Sequence, residues 1–73
     1  MSEGPAAGLA LIDEILARGE LAEYHLVHAA RADLCRRLGS VTDARTSYER
    51  ALALTRQETE RQFLKRRLAE LGN

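Results

Sequence analysis

Residues 32–54, ADLCRRLGSVTDARTSYERALAL, hold two helical patterns that meet across one glycine. Before Gly39, Leu34, Cys35 and Leu38 fall on one helical face; after it, Val41, Ala44, Tyr48, Ala51 and Leu52 fall on another. Residues three and four apart are neighbours on a helix surface, so each set forms a continuous stripe. Alternating small and large side chains (Ala44, Tyr48, Ala51, Leu52) lets two helices approach closely and interlock. The stretch predicts the seam of an antiparallel helical hairpin.

Outward from that seam, the punctuation predicts four helices. Gly4-Pro5 opens the first, because proline fits where the first amide has no helical partner. Its stripe is Leu9, Ile12, Ile15 and Leu16, and Gly19 ends it in the left-handed position that glycine takes easily. A second helix is expected from about Leu21 to Leu38, with Tyr24, Val27, His28, Leu34, Cys35 and Leu38 inward and Ala32 as a close-contact residue. Arg36 and Arg37 complement the negative pole at its C-terminus, and Gly39 stops it. Ser40 is expected to cap a third helix, Val41 to about Leu54, with Asp43 answering in the capping box. Thr55 repeats that signal for a fourth, from about Gln57 to Leu71, with Phe63, Leu64, Leu68 and Leu71 as its stripe and Gly72 as its end. Met1 to Glu3 are expected to be loose. No segment alternates with a period of two, so no strand is expected. Short connections make sequential neighbours antiparallel.

The chain has 73 residues, of which 45% are hydrophobic and 30% charged, enough apolar content for one small folded domain. Eleven basic and eleven acidic residues cancel, so total charge calls for neither nucleic acid nor a membrane. Residues 1–30 nevertheless carry five acids against one base, and the rest ten bases against six acids. That polarity is read as a solvated surface or as steering for a charged partner. Cys35 is the single cysteine, which excludes an internal disulfide and fits a reducing cytoplasm. The longest apolar run, Ala6 to Ile12, is broken by Gly8 and too short to span a bilayer. No basic-then-apolar leader follows Met1. A cytoplasmic location is expected.

The hairpin spacing resembles one tetratricopeptide (TPR) repeat, a unit of about 34 residues whose stacked copies bind other proteins. Arg56 stands where such a repeat usually has proline, and His28 where it usually has a large aromatic. A closer resemblance rests on three stretches in order. They are Gly4-Pro5-Ala6-Ala7-Gly8-Leu9-Ala10-Leu11; Tyr24-His25-Leu26 with Arg31-Ala32-Asp33-Leu34 and Arg37-Leu38-Gly39; and Glu60-Arg61-Gln62-Phe63-Leu64-Lys65-Arg66-Arg67-Leu68. Together they resemble the C-terminal part of bacterial extracytoplasmic-function sigma factors that carry a TPR-like extension. The resemblance covers nearly the whole chain. It implies an all-α fold of four antiparallel helices in a right-handed, TPR-like hairpin stack, with the fourth helix covering the second and third. It also implies a larger parent, because the two promoter-reading domains of such factors have no counterpart here; Met1-Ser2 would then be an added start.

The function this implies is non-catalytic: regulation of promoter-specific transcription through protein contacts. Partners would be the sigma domains of the parent chain, RNA polymerase or a regulatory protein. The first helix of each TPR-like hairpin lines the concave surface, which makes Leu26, Ala29, Asp33, Arg36 and Arg37 candidate contacts. The basic cluster Arg61, Lys65, Arg66 and Arg67 is a second candidate patch for an acidic partner, against the plainer reading that arginine stems cover the core edge. Direct nucleic-acid binding is not expected, since stacking aromatics are not interleaved with the bases. With few hairpins to the stack, the first helix is expected to leave an apolar edge that favours weak self-association. A TPR-type adaptor unrelated to transcription is the alternative.

Chemistry is the third class. His25, His28 and Cys35 share a helical stripe, yet a closed metal site needs four ligands; no second Cys/His cluster supplies the rest, and nothing selects an aspartate or glutamate to complete it. Cys35 has no base and oxyanion site arranged around it. Asp13 and Glu14 are adjacent, so their side chains diverge and form no acid/base pair. No cofactor, metal or catalytic residue is expected.

Overall fold

Gly19 and Gly39, with φ of 80° and 82°, set two of the helix boundaries in the computed structural model of the chain, which describes residues 4–71. The four helices are α1 Pro5–Arg18, α2 His25–Arg37, α3 Val41–Leu54 and α4 Glu58–Leu71. No strand occurs among the described residues. The all-α, four-helix expectation therefore holds; the expectations for Met1 to Glu3 and for Gly72 lie outside the described residues. Both glycines close their helices with paired backbone bonds. The Gly19 amide donates to the Leu16 carbonyl and the Glu20 amide to Ile15; the Gly39 amide donates to Arg36 and the Ser40 amide to Cys35. A left-handed residue is what allows both bonds of each pair.

Two start signals turn out differently. α2 begins at His25, four residues later than expected. No Ser, Thr, Asp or Asn precedes it to cap an earlier start, and the Tyr24 backbone is extended. The carbonyl of Ala22 instead accepts a hydrogen bond from His28 Nε2 at 2.7 Å, which ties the α1–α2 turn down to the next helix. At α3, Ser40 makes no side-chain capping bond. Its amide is spent on the Cys35 carbonyl and its ψ of 78° departs from the extended cap conformation. Only its carbonyl enters the helix, accepting from the Ala44 amide at 2.9 Å. At α4 the Thr55 hydroxyl accepts a long, 3.4 Å bond from the Gln57 amide, and the helix starts at Glu58.

The core is Ala32, Cys35, Ala44, Tyr48, Ala51 and Leu64. Alanines at the α2–α3 contact bring the two backbones together around the Tyr48 ring, and this is the most extensive helix pairing in the molecule. Leu9, Ala29, Leu52, Leu68 and Leu71 pack half-buried around that centre. Four expected core residues are instead exposed: Tyr24, Leu38, Val41 and Phe63. Tyr24 precedes its helix, Leu38 and Val41 flank the Gly39 turn beyond the helix contact, and Phe63 lies 49% exposed beside the buried Leu64.

Neighbouring helices run antiparallel. On α1 and α2, Gly8 faces Leu34, where an added Cβ would come 3.3 Å from a Leu34 methyl, while Asp13 meets Arg31 at 2.6 Å. On α3 and α4, Arg61 reaches back to the carbonyls of Leu52 and Thr55. Alternate helices run parallel: His25 on α2 meets Glu60 on α4 at 3.0 Å. Two layers result, α2 with α4 and α1 with α3, in a slab of 36 × 30 × 17 Å. α4 packs on α3 and touches α2 along one edge, so it does not cover the pair as expected. α1 has no buried residue and leaves Leu11 63% exposed, which is the expected apolar edge. None of the described helices is long and apolar enough to cross a membrane.

Candidate functional site

A groove of about 360 Å³ opens between α2 and α4, lined by Leu26, Ala29, Thr59, Glu60, Phe63 and Leu64. Its walls follow from helical spacing: Leu26 and Ala29 are three apart on α2, and Glu60, Phe63 and Leu64 occupy one face of α4. The floor is apolar because Leu64 closes the core there, while Leu26 and Phe63 form the lips. The His25–Glu60 contact bridges the groove at its N-terminal end.

The remaining α2 candidates continue the same face. Ala29, Asp33 and Arg36 are spaced i, i+4, i+7. Asp33 accepts from Arg36 Nη2 at 2.5 Å through one oxygen and pairs with Arg37 Nε at 3.1 Å through the other. The hydrogen bond to Asp33, followed by one to the Tyr48 hydroxyl, pushes the Arg36 guanidinium pKa above its ordinary value. Arg36 Nε is buried and, among the described residues, has no hydrogen-bond partner. The α2 stripe thus runs from an apolar half into an ionic half with one more guanidinium than carboxylate.

The basic cluster does not form one patch. Arg61 turns inward and caps α3, donating to the carbonyl of Leu52 at 2.9 Å and that of Thr55 at 3.3 Å. Arg67 pairs with Glu70 and lies 5.1 Å from the centre of the Phe63 ring. Lys65 and Arg66 are exposed. Arg61 is therefore a structural residue, and its neighbours divide between the groove side of α4 and open solvent.

Sequence reasoning did not single out Arg31. From α2 it donates to Asp13 on α1 at 2.6 Å and to the Ser47 hydroxyl on α3 at 2.7 Å, joining three helices. The Asp13 hydrogen bond raises its pKa further. The signal available was an arginine one residue before the small Ala32, on the flank of the buried face.

The groups weighed for chemistry lie apart from the groove floor. Cys35 is fully buried and burial pushes its thiol pKa up, so it is held as an unreactive thiol. His28 is held by the Ala22 carbonyl and His25 by Glu60. Among the described residues, no group of three or more His, Cys, Asp or Glu side chains could hold a metal ion.

In comparison with known proteins, no family model and no solved structure matches the chain. It is similar to an uncharacterized protein of Rhizobium meliloti (strain 1021), with 35% identity over 70 residues. The match takes 96% of this chain but 16% of the relative, so the chain spans about a sixth of that protein's length.

Proposed function

We propose that the chain is a non-catalytic, TPR-like interaction domain of an extracytoplasmic-function sigma factor. In this reading it regulates promoter-specific transcription in the cytoplasm through protein contacts made in the α2–α4 groove. One observation carries the reading: α2 and α4 lie parallel and share an open apolar groove, with α3 antiparallel behind them. The first helices of successive hairpins stand that way in a stacked helical repeat, and their shared face is the binding surface. The three sequence stretches that resemble the sigma-factor extension supply the transcriptional half of the reading. A similar segment making up 16% of a longer relative supports a domain that works within a larger chain.

The contacts assigned are Leu26, Ala29 and Phe63 in the groove, with Asp33, Arg36, Arg37 and Arg67 at its ionic end. Partners are the sigma domains of the parent chain, RNA polymerase or a regulatory protein. The test places Leu26→Asp with Phe63→Asp in the parent protein. Both side chains are half exposed, so the fold should survive, which circular dichroism checks. Transcription from the target promoter and capture of the isolated sigma domains or polymerase are then measured. Changed output with lost capture is expected; unchanged output together with unchanged capture would sink the proposal. Normal transcription with loss of some other protein partner would favour the general adaptor.

A further inference from the structure

We propose that the groove receives an amphipathic helix of a partner protein, laid antiparallel to α2 and α4, acidic at its N-terminal end and basic at its C-terminal end. The inference rests on the groove being a protein contact surface and adds what the contacting segment must be. Because α2 and α4 are parallel, both N-termini lie at one end of the groove and both C-termini at the other. The N-terminal end carries Glu23, Glu58 and Glu60 against Arg56. The C-terminal end carries Arg36, Arg37, Arg66 and Arg67 against Asp33 and Glu70. Internal pairing takes up part of each set: at the N-terminal end Glu60 contacts His25 and Glu58 accepts from Gln62, and at the C-terminal end Asp33 is shared by Arg36 and Arg37 while Glu70 takes Arg67. What remains at the C-terminal end is a positive excess that includes the exposed Arg66 and the 60% exposed Arg37 side chain.

Backbone and side-chain fields agree on the direction. Each helix carries a partial positive pole at its N-terminus and a negative one at its C-terminus. An antiparallel occupant sets its own poles against the opposite poles of α2 and α4. Acids in its first turn meet Arg37 and Arg66, and bases in its last turn meet Glu60, which lines the groove. The molecule already contains this geometry on the inner side, where α3 runs antiparallel to α2 and α4 and packs on both. A helix also fits better than an extended segment. Extended peptides gain affinity from the unpaired backbone edge of a sheet, whereas helices dock through side chains at i, i+3, i+4 and i+7. The described residues offer no strand edge, and Leu26, Ala29, Phe63 and Leu64 offer an apolar trough for such side chains.

The probe is a phage-displayed library of alanine-based helical peptides of about 15 residues, long enough for partial helicity in water. One stripe of leucines is fixed, and Glu, Lys or Gln is randomised in the first and last turns. Selection on the full chain at low salt should enrich acid-first, base-last peptides about tenfold over base-first, acid-last ones. That preference should fade in molar salt, where the screening length is about 3 Å. Arg37→Glu with Arg66→Glu should weaken it, and Leu26→Asp with Phe63→Asp should abolish enrichment. A library without charge skew, a reversed skew, or equal enrichment on the folded groove variant overturns the inference. The broader reading is scored separately: if the groove variant still loses partner capture in the parent protein, contact through the groove stands and only the antiparallel helix falls.

Discussion

The α2–α3 hairpin and the two helices flanking it are packed on different terms. Ala32, Cys35, Ala44, Tyr48 and Ala51 are all buried in the hairpin, whereas α4 contributes Leu64 alone and α1 no buried residue. Small residues at the seam let α2 and α3 approach until little space remains for water, and the burial is nearly complete. The flanks meet the hairpin through half-buried leucines plus a few polar ties, chiefly Arg31 with Asp13 and Arg61 with the end of α3. Stability therefore concentrates in the middle of the chain, and the groove proposed for a partner sets one wall from the tightly held α2 against one from the less tightly held α4. Binding surfaces are commonly drawn from elements of the second kind.

The strongest way to break this contrast is Tyr48→Ala. Removing a fully enclosed aromatic from a close-packed seam should cost about 3–5 kcal/mol, close to the few kcal/mol of net stability expected for so small a core. Urea unfolding followed by circular dichroism measures it. A cost below that of the α4 core substitution would move the centre of stability out of the hairpin. On α4, Leu64→Ala should cost about 3 kcal/mol, while Phe63→Ala should cost about 1 kcal/mol because half of the ring already meets water. Equal costs would show that Phe63 seals the core after all. Arg61→Ala should cost about 1.5 kcal/mol through the two carbonyls it leaves unpaired. Hydrogen exchange should then rise at the end of α3 and stay unchanged in α2.

The smallest expected effect appears only in alkali. Burial raises the Cys35 pKa above its ordinary value of 9.0, so the folded state holds the protonated thiol after the unfolded chain has begun to ionise. The stability tied to that thiol is fully present below pH 9.0 and declines as pH rises past it. Cys35→Ala should remove this slope, and a wild-type profile as flat as the variant's would place Cys35 in contact with solvent.

Much of this architecture was legible in the residue order. Gly19 and Gly39 mark helix ends because the left-handed backbone they adopt is costly for other residues, and the Ala44–Tyr48–Ala51 spacing announces a close-packed seam. The start of α2 was not legible, since a histidine three residues inside the helix captures a turn carbonyl and no local rule weighs that bond. The Ser40 cap failed for a related reason: the closing bonds of α2 use the Ser40 amide and fix its backbone before its hydroxyl can act. Choosing Leu64 over Phe63 as the seal required the angle at which α4 crosses α3, which periodicity does not contain. In the groove, Leu26 and Ala29 could be read as neighbours on one face, but their meeting with Phe63 depends on α2 and α4 being parallel. Arg61 illustrates the same limit from the other side, because the sequence shows its charge and hides the carbonyls it faces.

The two bonds from Arg61 to Leu52 and Thr55 also impose an order in time. The last carbonyls of α3 find this partner on α4, so the final turn of α3 cannot close its polar groups in this way until α4 has arrived. The hairpin can assemble first from local contacts, with the far end of α3 still fraying into water. Docking of α4 and completion of α3 then occur as one event. In a pulse-labelled refolding experiment, amides at the end of α3 should gain protection together with those of α4, and after those of α2.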